Sequence, residues 1–139
     1  LRAPLPKGDL KIKHIYEIMP FENALVYVDL KGKDILTMTQ FLVNYGGQPT
    51  SSNFRIIVET DKSFSVTIDG NSIDTNATYT VISTDYLVNG GDNMNFFTHA
   101  ISKIETDYKL RDLLIDQIKF NTKQNVKNTS TLDGRITFK

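Results

Sequence analysis

The sequence predicts an α+β fold, in which a single layered domain has a mixed β-sheet core flanked by helices. Two observations lead to this prediction. Segments with helical spacing and segments with strand composition follow one another in the irregular order helix, strand, helix, hairpin, strand, loop, helix, strand. The chain has 139 residues, of which 40% are hydrophobic, so it can bury one core but is too short for two ordinary domains. Residues 1–139 are therefore expected to form one domain.

The first part of the chain contains two predicted helices and a predicted central strand. The apolar residues between Asp9 and Pro20 recur at helical spacing, which predicts a short helix. Asp9 is expected to cap this helix, and Pro20 is expected to end it. Residues 24–30 are rich in β-branched, aromatic and other apolar residues with little alternation, which predicts a central strand covered on both faces. Residues 34–43 repeat apolar side chains every three or four positions, which predicts an amphipathic helix against the sheet.

The second part of the chain contains the remaining predicted elements. Two β-rich runs joined by a short polar link predict a hairpin, and a further strand should present alternate residues to one face. A helix with acidic residues near its start and a lysine near its end follows, and a short strand closes the chain. The predicted bounds are 54–59 and 63–68 for the hairpin, 78–84 for the strand, 107–120 for the helix and 134–138 for the closing strand.

Five residues between the first helix and the central strand form what we call the corner segment, Met19-Pro20-Phe21-Glu22-Asn23. The residue before a proline is driven out of the helical region, so the chain should leave the helix at Met19. Phe21 then sits on a constrained corner between two rigid elements, where folds often place ligand-contacting side chains. Phe21 is thus a candidate for ligand binding or one more aromatic residue of the core.

Residues 90–97 form a second candidate region, the glycine loop. Gly90 and Gly91 permit backbone torsions that other residues avoid and let a ligand approach the main chain closely. Asp92 can hold the loop through local hydrogen bonds or accept a hydrogen bond from a ligand hydroxyl. The loop then offers soft or aromatic surface, or additional core, at three positions: Met94, Phe96 and Phe97.

Several classes of function are disfavoured by what the sequence lacks. Sixteen basic and sixteen acidic residues cancel, so no global field favours a nucleic acid polymer, and no apolar run is long enough for a membrane span. There is no cysteine, and His14 and His99 do not have metal-ligand spacing. Asp112 and Asp116 lie one helical turn apart on an expected solvated face. The residues alone thus predict walls for a flat ligand and no bond-breaking site.

Two separated segments and the end of the chain carry a resemblance to a known family. Together they resemble the C-terminal domain of the 5'-nucleotidases and UDP-sugar hydrolases, in the right order and over nearly the whole chain. The resemblance implies that the chain has the fold of this C-terminal domain and that it binds the nucleoside part of the substrate. The segments are Gly8-Asp9-Leu10 through the corner segment to Lys31-Gly32, Thr78-Tyr79 through Asp85-Tyr86-Leu87 to Gly90-Gly91-Asp92, and Asp133-Gly134-Arg135-Ile136.

The resemblance also implies roles for individual residues. Phe21 and Asn23 match the family's Pro-Phe-x-Asn pattern, which implies that Phe21 stacks on the base and Asn23 bonds its edge. Arg2 matches the arginine of the family's Asn-Gly-Gly-Gly-Ile-Arg motif, which approaches the phosphates. Met94 stands near where the family has its second stacking aromatic residue. The sandwich is then weaker, rebuilt from Phe96, or no longer used.

These matches imply a nucleoside- or nucleotide-binding domain of a 5'-nucleotidase-type hydrolase. The chain itself should hold no cofactor, and two divalent metal ions are expected in a metallophosphatase domain that is fused or separate. By resemblance the protein is periplasmic, extracellular or at the cell surface. An alternative is a non-catalytic binding or structural module with a degenerate pocket, because the family's ribose-binding acid has no counterpart around His99 and Ala100. A stand-alone enzyme is disfavoured.

Overall fold

A computed structural model describes residues 3–129 and 131–139 of the chain. These residues form four helices and seven strands, and two short 3₁₀ turns, Gly91–Asn93 and Asn95–His99, lie within or overlap the glycine loop. The helices are Ile12–Ile18 (α1), Gly32–Asn44 (α2), Asp85–Val88 (α3) and Leu110–Lys123 (α4); the strands are Ala24–Lys31 (β1), Phe54–Val58 (β2), Phe64–Ile68 (β3), Asn71–Ser72 (β4), Thr78–Thr84 (β5), Ser102–Lys109 (β6) and Ile136–Phe138 (β7).

The strands form two sheets. One has the order β5-β1-β6, with β1 pairing antiparallel to both neighbours. The other has the order β4-β3-β2-β7, in which β2 pairs antiparallel with β3 and parallel with β7. The predicted α+β fold with a mixed sheet and flanking helices is confirmed, and the division of the strands into two sheets is a feature that the sequence had not predicted.

The hydrophobic core joins residues of both sheets to α2 and to the glycine loop. The spacing of buried residues in α2 matches the predicted amphipathic stripe, which is confirmed. The hairpin, the strand β5 and the closing strand β7 are likewise confirmed, each within about two residues of its predicted bounds. The main buried side chains are Val26, Val28, Leu30, Ile35, Leu42, Val43, Phe54, Ile56, Val58, Val66, Val88, Met94, Phe96 and Phe97.

Strand β1 is central, as predicted, but it is not covered on both faces. Val26 and Val28 are buried, whereas Tyr27 between them is exposed. Asp29 lies on the same face as Tyr27 and accepts hydrogen bonds from Ser102 on β6 and Thr80 on β5. These two bonds hold the pKa of the Asp29 carboxyl below its ordinary range. An antiparallel sheet can leave one face to solvent, which explains why the apolar run misled the prediction.

The start of α1 differs from the prediction. The helix begins at Ile12 with Lys11 as its N-cap, so the predicted cap at Asp9 is wrong. The backbone N–H of Lys11 donates to Nδ1 of His14 at 3.1 Å, so the third helical residue reaches back to the N-cap, as in one half of a capping box. The predicted end is confirmed, because the helix stops at Ile18, before Pro20.

Strand β6 was missed, and the predicted start of the following helix at residue 107 is wrong. Residues 102–109 form a strand that pairs with β1, and α4 begins only at Leu110. Most side chains of β6 are polar or exposed, so its sequence carries no apolar alternation. Pairing with β1 therefore determines this strand. No helix in the part of the chain that the structure describes is long and apolar enough to cross a membrane.

Candidate functional site

The corner segment forms one side of a cleft. Pro20 prevents α1 from continuing, and the chain turns through the segment before entering β1 at Ala24. The Phe21 side chain is 58% exposed, so the aromatic ring is not part of the hydrophobic core. The alternative that Phe21 is one more core aromatic residue is thereby ruled out, and a large apolar ring is presented at the surface.

The cleft has a volume of about 670 Å³, which falls within the range of small-molecule sites. It is bounded by the corner segment, the end of β5, the short helix α3, the glycine loop and the first turn of α4. Both apolar and polar groups face it. The lining residues are Ile18, Met19, Pro20, Phe21, Asn23, Thr84, Tyr86, Leu87, Asp92, Leu110 and Arg111.

Three of the site residues expected from the sequence lie together along this cleft. Phe21 and Asn23 come from the corner segment, and Asp92 comes from the glycine loop, about seventy positions later. The Asn23 carboxamide makes no hydrogen bond to the described residues, so its donor and acceptor atoms are both available. Arg2, the expected phosphate contact, lies outside the described residues.

Met94 is placed differently from the other expected site residues. Its side chain is only 8% exposed, packs in the core, and does not line the cleft. The backbone explains this placement, because Asp92 and Asn93 both adopt left-handed torsions and turn the chain back toward the core. Phe96, the alternative source of a second ring, is also buried in the core, where it contacts Phe41 edge to face.

Tyr86 lines the cleft, although no separate role was predicted for it from the sequence. It lies in α3, directly after β5, and its side chain is 52% exposed. Its hydroxyl donates a hydrogen bond to Oδ1 of Asp92 at 3.0 Å. The ring lies close to the backbone of Gly91, since a Cβ atom added there would be 2.6 Å from two ring atoms. The sequence signal that could have identified Tyr86 is an aromatic residue at the second position of a helix that directly follows a strand.

Arg111 is the second cleft residue that the sequence did not single out. Its side chain is 6% exposed, and Nη2 donates to Oε1 of Glu22 at 3.1 Å. Nη1 donates to the carbonyl oxygen of Pro20 at 3.4 Å, and the guanidinium lies 4.1 Å from the ring centroid of Tyr16. Helix α4 thus helps to build the cleft, a role that its polar sequence does not indicate.

A backbone contact reinforces the join between α4 and the corner segment. The N–H of Leu110, the first residue of α4, donates to the carbonyl oxygen of Asn23 at 3.0 Å. This bond satisfies one of the amide donors that a helix leaves free at its N-terminus. The position of Asn23 along the cleft is therefore fixed through its main chain, while its side chain stays available.

The described residues do not fit a resident catalytic metal. Among residues 3–129 and 131–139, no three histidine, aspartate or glutamate side chains come close enough to hold an ion. The charged groups that line the cleft are one carboxylate, from Asp92, and one guanidinium, from Arg111. What this arrangement can do is hold a ligand: an aromatic ring, an amide, a phenol and a carboxylate are directed toward one space.

Comparison with known proteins identifies the family of the chain. A sequence model described as "5'-nucleotidase, C-terminal domain" matches residues 1–99, well over half of the chain. The chain belongs to the 5'-nucleotidase C-terminal domain family. The resemblance found in the motifs is thus confirmed. Nine of the residues that line the cleft lie within the matched region, and Leu110 and Arg111 lie beyond it.

Individual members of this family are similar over much of the chain. Protein UshA of Escherichia coli is 26% identical over 96 residues, covering 66% of this chain and 18% of UshA. The trifunctional nucleotide phosphoesterase protein YfkN of Bacillus subtilis is 28% identical over 156 aligned positions, covering 98% of this chain and 10% of YfkN. The chain thus spans less than a fifth of the length of either relative.

The fold agrees with a solved member of the family. The crystal structure of the 5'-nucleotidase precursor from Thermus thermophilus matches with a TM-score of 0.81 and 27% sequence identity. The match covers 99% of this chain and 29% of the Thermus chain. The 5'-nucleotidase C-terminal fold therefore extends through the residues beyond position 99, including α4 and β7.

Proposed function

We propose that this chain is the nucleoside- or nucleotide-binding domain of a 5'-nucleotidase-type hydrolase that acts in nucleotide catabolism. The observation that carries the proposal is the cleft itself. Phe21 and Asn23, the two residues that match the family's Pro-Phe-x-Asn pattern, both line a space of about 670 Å³. An exposed aromatic ring and a carboxamide that has no hydrogen bond to the described residues suit a nucleobase, because the base offers a π-face to the ring and polar atoms along its edge.

The proposed roles follow from the chemistry of each side chain. The Phe21 ring stacks on the base, and Asn23 donates to and accepts from its edge. Oδ1 of Asp92 accepts from Tyr86, and Oδ2, which has no hydrogen bond within the described residues, accepts from a ribose hydroxyl. Arg2 contacts the phosphates, since a guanidinium fork suits their geometry. Met94 contributes to the pocket only indirectly, through the core packing that supports the glycine loop.

Hydrolysis is assigned to a different part of the protein. The matched family is by description a C-terminal domain, and the relatives are several times longer than this chain. We assign phosphate release to a metallophosphatase domain, fused or separate, that holds two divalent metal ions outside these 139 residues. By the same family relationship we assign the protein to the periplasm, the cell surface or the extracellular space.

The first prediction concerns Phe21. Phe21→Ala should weaken the binding of adenosine or AMP by about 5- to 150-fold, because stacking on an aromatic ring is worth roughly 1–3 kcal/mol per base. Isothermal titration calorimetry of the wild type and the variant measures the difference. Phe120→Ala is the matched control, since Phe120 is 59% exposed and lies outside the cleft. Equal affinities for the wild type and Phe21→Ala would contradict the stacking role.

A second candidate function is a non-catalytic module with a degenerate pocket. The burial of Met94 favours it, because the loop position that should supply a second wall faces the core instead. The two functions differ in a direct observation. A working nucleoside site shifts the NMR signals of the corner segment when adenosine is added, whereas a degenerate pocket leaves them unchanged.

A further inference from the structure

We propose that Tyr86 is the second aromatic wall of the cleft and packs against the base of the bound nucleoside. The inference rests on the proposed function and adds a residue to which the sequence prediction gave no role. Among the residues that line the cleft, two are aromatic, Phe21 and Tyr86. They come from different elements, the corner segment and α3, so they bound the same space from separate parts of the chain.

The position of the Tyr86 ring is determined before any ligand binds. Its hydroxyl is held by Oδ1 of Asp92 at 3.0 Å, and its edge lies against the main chain of Gly91. A side chain at Gly91 would displace the ring, because even a Cβ atom there would come within 2.6 Å of it. A ring fixed in this way loses little conformational entropy when a base packs on it, which favours binding.

The exposure of Tyr86 is consistent with this role. Tyr86 is 52% exposed, although its phenol hydroxyl is already bonded within the protein. In the glycine loop the other apolar candidates, Met94, Phe96 and Phe97, are all buried in the core. Within the described residues, therefore, the ring surface on this side of the cleft comes from Tyr86.

Tyr86 also orients Asp92. Because the phenol occupies Oδ1, the carboxylate is held with Oδ2 as the oxygen left for a ligand hydroxyl. The ring and the hydroxyl can be separated by mutation. Tyr86→Phe keeps the ring and removes the hydrogen bond to Asp92, whereas Tyr86→Leu removes the aromatic surface as well.

NMR titration with adenosine tests the inference. Tyr86→Leu should weaken binding by about 5- to 150-fold, the range for loss of one stacked ring, and Tyr86→Phe should weaken it by less than about 5-fold. Tyr27→Leu is the matched control, since Tyr27 is exposed on β1 and does not line the cleft. In the wild type, adenosine should shift the ring protons of Tyr86 through the ring current of the base, a signal that a merely structural role would not produce.

The outcomes separate this inference from the proposed function. One outcome is that Phe21→Ala weakens binding, Tyr86→Leu does not, and the Tyr86 ring protons do not shift. The role proposed for Tyr86 is then wrong, and the proposed nucleoside site stands. If the wild type does not bind adenosine or AMP at all, both fail. Should Tyr86→Leu not fold, the shift of the wild-type ring protons still decides whether Tyr86 packs against the base.

Discussion

Arg111 connects three parts of the chain around the cleft. Its guanidinium lies over the ring of Tyr16 in α1, and donates to the carbonyl of Pro20 and the carboxylate of Glu22 in the corner segment. The side chain is almost fully buried, although it carries a charge. Its methylene groups and its planar head therefore both contribute to packing, which a lysine could not reproduce in the same geometry.

A substitution tests this connection. Arg111→Met should lower the free energy of unfolding by about 1–3 kcal/mol, because it removes a cation–π contact and hydrogen bonds from a buried position while keeping a long apolar side chain. Urea denaturation followed by circular dichroism measures the change.

Glu22→Gln is the matched comparison for Arg111→Met. Glu22 is 72% exposed, so solvent screens its interaction with Arg111, and the loss should stay below about 1 kcal/mol. A Glu22→Gln effect as large as that of Arg111→Met would mean that the ion pair, and not the packing of the guanidinium, holds the corner segment.

At the scale of elements, the start of α2 is held by the segment that precedes β5. The N–H groups of Gly32 and Lys33 donate to the carbonyl oxygens of Ala77 and Thr75, at 3.0 and 3.2 Å. These bonds satisfy amide donors that the first turn of a helix leaves free. The approach is so close that a Cβ atom at Gly32 would come within 2.0 Å of the carbonyl oxygen of Asp74.

This contact predicts an unusual order of glycine substitutions. Gly32→Ala should destabilise the fold by about 3 kcal/mol, at the upper end of the range for overpacking, because backbone atoms must move to admit the methyl group. Gly70→Ala should cost less, about 1–2 kcal/mol, since Gly70 has a φ of 78° but nothing within 4 Å of an added Cβ. Thermal or urea denaturation of both variants gives the order. If backbone torsions alone decided the cost, Gly70→Ala would be the more destabilising variant. A larger loss of stability for Gly70→Ala than for Gly32→Ala would therefore contradict the close contact at Gly32.

Helices and strands differ in whether their own residues are enough to predict them. Helix α2 and the β2–β3 hairpin were predicted because their apolar residues recur with the period of the element. Strand β6 was missed because its side chains carry no such period, and its hydrogen bonds to β1 determine its conformation. The predicted cap of α1 failed for a local reason, since the helix begins at Ile12 and Lys11, not Asp9, is its N-cap.

At the scale of the whole molecule, the proposed function divides binding from hydrolysis. The 139-residue chain should bind AMP but release no phosphate from it when Mn²⁺ or Zn²⁺ is added, because the hydrolytic metals are assigned to another domain. A colorimetric phosphate assay, run beside the AMP titration, checks both halves of this expectation. Phe21→Ala serves as the control for contamination. Phosphate release that falls when Phe21 is replaced would come from this chain and would contradict the division.

The candidate site shows where prediction from sequence succeeds. Pro20 forces the corner locally, and the motif match then directed attention to Phe21 and Asn23, which do line the cleft. Asp92, expected either to hold the loop or to bond a ligand hydroxyl, also lines the cleft and accepts a hydrogen bond from Tyr86. These predictions rest on short stretches of chain, in which steric limits on the backbone act over a few residues.

By itself, the sequence determined the class of fold, most of the helices and strands, the family and the corner segment. Only the tertiary structure decided that Met94 faces the core and that Tyr86 and Arg111 complete the cleft. The physical reason is distance along the chain: Arg111 and Glu22 are 89 residues apart, and their contact exists only once α4 is packed against the corner segment. Met94 turns inward because the left-handed torsions of Asp92 and Asn93 belong to a loop whose path the surrounding core determines.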